Sequence, residues 1–144
     1  MINLVRQVRG QTVAMTWKEG SNIMFRMGQV VDDYQRLTLN SIVNVHSFDE
    51  SFESEIKKIE MNPVDHQQVF ILVEAGPQIW FFVTPDTGQN WRVNRLDIKL
   101  LMTEKNLCSY PFFDSAGTIW VTLIDNGKEV VKKSEDLGLT FIDL

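Results

Sequence analysis

The stretch Ser134-Glu135-Asp136-Leu137-Gly138-Leu139-Thr140-Phe141 decides the fold, because its pattern occurs once more, fifty positions earlier (134 against 84). Each copy places an aspartate two positions after a hydroxyl residue, then a glycine, then an aromatic residue. The carboxylate of such an aspartate accepts hydrogen bonds from following amides, and glycine supplies the positive φ of a tight reversal. The pattern therefore predicts a self-fastened turn, after which the aromatic residue begins a strand and packs inward. The earlier copy consists of Thr84, Asp86, Gly88 and Trp91.

The segments that precede the two turns also match each other. Without gaps, 69–73 aligns with 119–123, and 79–83 aligns with 129–133. Most of these segments are rich in β-branched and aromatic residues, and turn-forming residues join each pair at 75–77 and 125–127. Each repeat therefore contains a β-hairpin ahead of its turn.

The N-terminal third fits the same template less completely. Two strand candidates, 13–17 and 23–27, flank a turn at 18–22, and Asp32-Asp33-Tyr34 stands about where the carboxylate belongs, without the glycine. Further strand candidates precede each hairpin (4–8, 56–61 and 107–113) and follow each turn (37–39, 91–93 and 141–144). The chain is thus predicted to be all-β, with three four-stranded antiparallel units at about 1–45, 46–96 and 97–144.

The repeated turn resembles the Asp-box of sialidase-type and sortilin-type β-propellers. The run Asn62-Pro63-Val64-Asp65 is similar to the turn that joins the first two strands of such blades, and the resemblance covers roughly residues 50–144. It implies a single domain of three propeller blades, and it gives the box residues a structural role. Those residues are Thr84, Asp86, Gly88, Trp91, Ser134, Asp136, Gly138, Thr140 and Phe141.

In propellers of this kind ligands usually meet the face opposite the boxes, or the central channel. The hairpin turns at 18–22, 74–78 and 124–128 are expected to collect on that opposite face, together with the connections between blades. The candidate binding residues there are Lys18, Glu19, Asn22, Gln78, Asp125, Asn126 and Lys128. Two connections fit the repeat poorly: the acidic and aromatic link at 41–55, and residues 96–106, which have the apolar spacing of a short helix.

Composition excludes several classes of partner. The 144 residues carry a formal net charge of -5 from scattered acids, so the sequence presents no basic face to nucleic acid or anionic lipid. Cys108 is the single cysteine, which rules out an internal disulfide, and it is expected to be a small buried hydrophobe. The N-terminus lacks the features of a signal peptide, and no segment has transmembrane length, so a cytoplasmic location or a place in a viral or phage particle is expected.

Catalytic chemistry is poorly supported. Asp86 and Asp136 are the obvious carboxylate pair for glycosidic hydrolysis, but each is expected to be engaged by its own turn, and the rotation between blades separates them. A sialidase also requires an arginine triad and a tyrosine nucleophile; only Tyr34 and Tyr110 are present, and the six arginines match no triad. His46 and His66 have no partners at metal-ligand spacing and are expected in loops, so neither a metal nor a cofactor is predicted. The apolar run 80–82 is interpreted as core packing between neighbouring sheets.

The favoured function is a non-catalytic module that binds a protein or a glycan, or that serves as a structural subunit of a larger assembly. The alternative is a degenerate or partial glycoside hydrolase of the sialidase type. Three blades do not close a ring, and strands such as 69–73 and 119–123 are expected to leave apolar faces in water. Closure by copies of the chain, most simply as a homodimer, or by blades of another chain is therefore predicted.

Overall fold

A computed structural model of the chain describes residues 4–30, 37–51, 53–75, 78–94, 107–125 and 127–144. These residues form antiparallel β-structure and no helix, which confirms the predicted all-β class. The strands are β1 Val5–Arg9, β2 Thr12–Glu19, β3 Asn22–Val30, β4 Leu37–Leu39, β5 Val43–Ser47, β6 Ser54–Met61, β7 Val69–Ala75, β8 Gln78–Thr84, β9 Arg92–Asn94, β10 Leu107–Phe113, β11 Ile119–Asp125, β12 Lys128–Ser134 and β13 Ile142–Asp143.

Consecutive strands pair into three sheets, each built by simple up-and-down connections. The second sheet has the order β6-β7-β8-β9 and the third has the order β10-β11-β12-β13. Their central hairpins have equivalent registers, with Leu72 opposite Phe81 and Thr122 opposite Val131. The fifty-residue repeat seen in the sequence is therefore also a repeat of strand pairing.

The first sheet has five strands, because two short strands, β4 and β5, share the place of a fourth strand beside β3. Strand β4 pairs with one end of β3 at Val30↔Leu37, and β5 pairs with the other end at Asn22↔Ser47. Between them, Arg26 Nε donates to the carbonyl of Asn40 at 2.6 Å. The prediction that 41–55 is only a connection was wrong: Val43–Ser47 is a strand, and the first sheet extends past the expected boundary at residue 45.

The three sheets stack in chain order, with the second sheet in the middle. Side chains of a strand point alternately to its two faces, and β7 uses both faces for burial. Val69, Ile71 and Val73 pack with the first sheet, whereas Phe70 and Leu72 pack with the third. The interpretation of 80–82 as core is confirmed for Phe81 and Phe82, which are fully buried in opposite cores.

The prediction that strands 69–73 and 119–123 leave apolar faces in water was wrong, because the same alternation buries them. The segment 69–73 is completely buried between two sheets, and Ile119 and Val121 are buried against the second sheet. The error has a simple cause: the strands with the strongest apolar character are the ones that pack inside the stack. The outer faces of the first and third sheets are formed by the alternate residues of β1–β3 and of β10–β12.

The first strands of the three sheets lie side by side and are joined by side-chain hydrogen bonds. The amide of Met61 donates to Gln7 Oε1 at 2.6 Å, and the amide of Phe113 donates to Glu60 Oε1 at 2.8 Å. Glu60 is only 5% exposed, and its carboxylate also pairs with Lys58 Nζ at 2.7 Å and, more weakly, with Arg9 at 3.9 Å. This carboxylate therefore connects all three sheets.

Several expectations fall outside the described residues. These are the degenerate turn at Asp32-Asp33-Tyr34, the helical spacing within 96–106, and the turn residues Gly76, Pro77 and Asn126. Cys108 belongs to β10, but its side chain lies outside the description.

Candidate functional site

The turn after β8 is fastened by its own side chains. Thr84 is fully buried, and its Oγ1 accepts a hydrogen bond from the amide of Gly88 at 2.8 Å and donates to Asp86 Oδ1 at 3.0 Å. The Asp86 carboxylate in turn accepts from the amide and the side-chain nitrogen of Asn90, at 2.8 and 2.6 Å. These bonds, the side-chain amide of Asn90 first among them, lower the pKa of Asp86.

The turn after β12 repeats this arrangement residue for residue. Ser134 Oγ accepts from the amide of Gly138 at 2.8 Å and donates to Asp136 Oδ1 at 2.7 Å. The Asp136 carboxylate accepts from both the amide and the hydroxyl of Thr140, and the hydroxyl bond is the main reason why the pKa of Asp136 falls to about 2. The oxygens of both aspartates are thus committed to their own turns.

Each turn also contacts an aromatic ring of the preceding sheet. Phe25 lies beside Gly88, and its ring meets Trp91 edge-on at a centroid distance of 4.9 Å. Phe81 lies beside Gly138 in the same way, and its ring meets Phe141 edge-on at 6.2 Å. The aromatic residues pack inward as predicted, although the strands begin one residue after them, at Arg92 and Ile142. The glycine and the aromatic residue of each box therefore contact the preceding sheet, whereas the hydroxyl and carboxylate residues bond within the turn.

The lowered pKa of Asp136 gives a testable pH dependence. A carboxyl whose folded pKa is about 2, below its ordinary value of 3.8, stabilises the fold above about pH 4 and loses that contribution as the pH falls towards 2. We expect Asp136→Ala to lower the melting temperature at pH 7 by about 2–5 °C, and the difference from wild type to shrink between pH 5 and pH 2. Thermal melts across that range measure it, with Asp136→Asn, which keeps an acceptor oxygen, as the control. A difference that stays constant with pH would show that the charge is not what holds the turn.

A cleft of about 720 Å³ opens between the first and second sheets, at the end where the hairpins turn. The turn between β2 and β3 supplies one wall, the end of β7 supplies another, and the link into β6 supplies the rest. The predicted binding face thus coincides in part with a real concavity. The described lining residues are Lys18, Gly20, Ser21, Glu50, Glu53, Ser54, Glu55 and Glu74.

The cleft is acidic. Its lining contains four glutamates and one lysine. The Nζ of that lysine, Lys18, donates a hydrogen bond to the carbonyl oxygen of Ser54 at 2.6 Å. Lys57 is not part of the lining, but its Nζ lies 3.0 Å from Glu55 and 3.4 Å from Glu74. The hydrogen bond that Lys57 donates to Glu55 is the first of the causes that raise the pKa of Lys57.

Two carboxylates that line the cleft and one hydroxyl beside it have no partner among the described residues. Among the described residues no cation pairs with Glu50 or Glu53, both of which are exposed. Ser54 Oγ is buried and has no hydrogen-bond partner among the residues that the structure describes. The cleft therefore offers negative charge, while the Ser54 hydroxyl is buried beneath it.

The structure brings only some of the predicted binding residues to this cleft. Lys18 lines it, while Glu19 follows on the same hairpin and accepts a hydrogen bond from Trp17 Nε1 at 3.1 Å. Asn22 begins β3 opposite Ser47. Gln78 begins β8, and Asp125 and Lys128 end the hairpin of the third sheet; none of these three is among the described lining residues of the cleft.

The acidic residues that dominate the cleft could not be recognised as a cleft from the sequence. Glu50, Glu53 and Glu55 were placed in an acidic link, but their position beside the first hairpin was not foreseen. Asp114 was also missed: it fastens the turn after β10 by accepting from the amides of Ala116 and Thr118 at 2.8 and 3.0 Å. Its Oδ2 accepts from Trp120 Nε1 at 2.7 Å, and this bond is the first cause that lowers its pKa.

The histidines occupy different environments. His46 lies in β5, not in a loop as predicted, and its ring contacts those of Phe48 and Trp80 at 4.5 and 5.2 Å. His66 lies in the turn between β6 and β7 and lines a second cleft, of about 330 Å³. Across the described ranges, no group of three or more histidine, cysteine and acidic side chains is arranged to hold a metal ion. No helix in the described part of the chain has the length and apolar character that crossing a membrane requires.

Comparison of the chain with protein-family models, with curated proteins and with solved structures found no match. The site must therefore be interpreted from its own geometry.

Proposed function

We propose that the chain is a non-catalytic β-propeller module that binds a protein partner through the acidic cleft. The observation that carries the proposal is the cleft itself, in which Glu50 and Glu53 face the hairpin of Lys18 without a neutralising cation among the described residues. The module interpretation is supported by three antiparallel sheets of consecutive strands that stack face to face in chain order. It is also supported by two matching turns that each join one sheet to the preceding sheet.

The bonding of the turn carboxylates favours a binding module over a hydrolase. A catalytic carboxylate must be free to exchange a proton or attack a substrate, whereas both oxygens of Asp86 and of Asp136 accept bonds within their turns. Arg9 lies beside Glu60, and Arg26 donates to a backbone carbonyl, so neither of these two guanidiniums is arranged with others around a substrate carboxylate. The partial sialidase-like hydrolase remains the alternative.

The charge of the cleft indicates the class of ligand. Carboxylates that are not paired attract ammonium and guanidinium groups, and they repel the acidic sugars that a sialidase-like site would hold. The described lining also contains no aromatic ring on which a sugar could stack. A lysine- or arginine-bearing segment of a protein therefore fits better than a glycan.

We also propose that the module works within a larger assembly. The repeat of three stacked sheets ends at the first and third sheets, and additional units from copies of this chain or from another chain would complete a propeller ring. Such an assembly suits a structural role, including one in a viral or phage particle.

The test measures the binding of a fluorescent lysine- and arginine-rich peptide by its fluorescence anisotropy. We expect Glu50→Gln/Glu53→Gln to weaken binding by about five- to tenfold, and added salt to weaken it in the wild type, because the attraction is electrostatic. Glu129→Gln, an exposed glutamate of β12 in the third sheet, is the matched control and should bind as wild type does. A glutamate-rich peptide of equal length should not bind.

Two outcomes contradict the proposal. Peptide affinity that is the same in the double variant and in wild type would remove the cleft as the site. Turnover of aryl sialosides that disappears when one acidic residue is replaced would favour the hydrolase alternative.

A further inference from the structure

The second cleft, of about 330 Å³, lies between the first and second sheets at the end opposite the acidic cleft. The acidic cleft opens where the β2–β3 hairpin turns, at Gly20, whereas the second cleft opens at the other end of these strands, at Thr12↔Gln29. Small-molecule sites have volumes of about 300–1,000 Å³. The second cleft is at the lower limit of that range, so it suits one small molecule better than a peptide segment.

The described lining of the second cleft is polar and contains no lysine, arginine, aspartate or glutamate. Thr12, His66 and Thr87 are half-buried in it. Its exposed residues also carry hydroxyl or amide groups; they are Gln29, Thr38, Asn40 and Gln67. Hydroxyl, amide and neutral imidazole groups can both donate and accept hydrogen bonds. The lining therefore matches a neutral ligand whose own groups do the same.

The polar side chains of this cleft keep hydrogen-bonding capacity for a ligand. Among the residues that the structure describes, no side-chain hydrogen bond engages Thr12, His66 or Gln67. Thr87 Oγ1 donates to the carbonyl oxygen of Asp86 at 2.5 Å, and its lone pairs can still accept a hydrogen bond. Four side chains from both sheets are thus available to one molecule.

Backbone hydrogen bonds hold the two walls of the cleft in place. The amide of Thr87 donates to the carbonyl oxygen of Gln67 at 2.8 Å, which joins the turn after β8 to the turn between β6 and β7. On the other wall, the amide of Asn40 donates to the carbonyl oxygen of Met27 at 2.8 Å. A site that is formed before its ligand arrives loses less conformational entropy on binding.

The repeated turn provides an internal comparison for Thr87. The turn after β12 has Leu137 at the same position, and both residues have a positive φ, of 62° and 57°. Leu137 packs against the apolar core between the second and third sheets. The corresponding place between the first and second sheets is instead an open cleft with a hydroxyl in its wall.

The turn that carries His66 and Gln67 also differs from its counterpart. It spans seven residues, 62–68, whereas the turn between β10 and β11 spans five, 114–118. In the shorter turn, Ala116 and Gly117 stand at the same distance before the next strand, and neither has a polar side chain. Stacking two sheets therefore does not by itself produce a polar cleft, and this one depends on particular residues.

We propose that the second cleft binds a single neutral sugar, through hydrogen bonds with Thr87, His66 and Gln67. The hydroxyl groups of a sugar donate and accept, as these side chains do. An acidic sugar or a phosphate fits less well, because the described lining has no lysine or arginine to compensate its charge. This site is additional to the acidic cleft and takes a different class of ligand.

Saturation-transfer difference NMR tests the proposal, with the methyl glycosides of glucose, galactose, mannose and N-acetylglucosamine as probes. We expect at least one of them to bind with a dissociation constant of about 1 mM or below, and N-acetylneuraminic acid to bind at least about tenfold more weakly. Titration of the full chain with each probe measures these constants.

Variants of the lining locate the bound sugar. Thr87→Leu introduces the residue found in the turn after β12, and it should weaken binding at least about tenfold, because it removes a hydroxyl and fills the space. Gln67→Ala should weaken binding by about two- to tenfold, the effect of one neutral hydrogen bond. Gln89→Ala is the matched control, since Gln89 is exposed on the same turn as Thr87 but is not among the described lining residues.

Several outcomes would overturn the sugar site. They are no binding of any of the methyl glycosides, a preference for N-acetylneuraminic acid, or equal affinities of Thr87→Leu and wild type. If a melting scan shows that Thr87→Leu does not fold, Gln67→Ala makes the decisive comparison with a smaller change. Sugar affinity should be the same with and without saturating basic peptide, because the two clefts lie at opposite ends of the sheets. Failure of either site would therefore leave the other intact.

Discussion

Replacing Glu60 by leucine is expected to lower the free energy of unfolding by about 2–4 kcal/mol. The carboxylate is almost completely buried, accepts the amide of Phe113, and pairs with Lys58. Leucine fills the volume but leaves that amide without an acceptor and leaves the Lys58 ammonium with only the carbonyl oxygen of Pro111, at 2.9 Å. Lys58 and Arg9 have side chains 31% and 33% exposed and can turn towards water, so the loss stays below that of a fully buried ion pair. Urea denaturation at neutral pH measures the loss.

Two further glutamate variants identify the source of the effect. Glu60→Gln keeps an oxygen for the Phe113 amide and loses only the charge, so its loss should be smaller than that of the leucine variant. Glu55→Gln removes a carboxylate that also pairs with a lysine, but the Glu55 side chain is 72% exposed, and its loss should be within about 0.5 kcal/mol. Equal losses in Glu60→Leu and Glu55→Gln would mean that the connection between sheets adds nothing beyond a surface ion pair.

The strands were predictable from the sequence because their signals are local. Alternating or continuous apolar residues between turn formers placed every strand except β5 to within three residues at each end. Strand β5 was missed because its alternation, Val43-Asn44-Val45-His46, lies inside a segment judged by its acidic and aromatic flanks. In addition, β5 pairs with β3, and the expected neighbour of β3 on that side was β4 alone. No sequence pattern indicates that two short strands share the place of one.

The candidate site was less predictable, because it depends on contacts between distant segments. The hairpin of Lys18 was selected from turn position alone, and this was sufficient to find one wall of the cleft. The remaining walls come from Glu50, from residues 53–55 and from Glu74, which approach that hairpin only when the first two sheets stack. Glu60 was missed for the same reason: a glutamate in a strand is ordinarily solvated, and only the stacking of three first strands buries this one.

Replacing Gly88 by alanine is expected to lower the free energy of unfolding by about 2–4 kcal/mol, because the added Cβ brings both backbone strain and a steric clash. The residue has φ +94°, a conformation that alanine rarely adopts, and a Cβ would lie 2.6 Å from Cε1 of Phe25. Phe25 is fully buried in the core between the first two sheets, so its ring cannot move away without disturbing that packing. Gly20→Ala separates the two penalties, since Gly20 also has a positive φ of +60° but no atom within 4 Å of the added Cβ. It should cost only about 1–2 kcal/mol.

The double variant Gly88→Ala/Phe25→Leu completes the comparison, because a smaller side chain makes room for the new methyl group. Its total loss should be less than the sum of the two single losses, by about 1 kcal/mol or more. Thermal and urea unfolding of the four proteins measure these differences. If Gly88→Ala costs no more than Gly20→Ala, or if the double variant is simply additive, the turn does not hold the ring of the preceding sheet. The repeated contact of glycine with an aromatic ring would then be incidental to the joint between sheets.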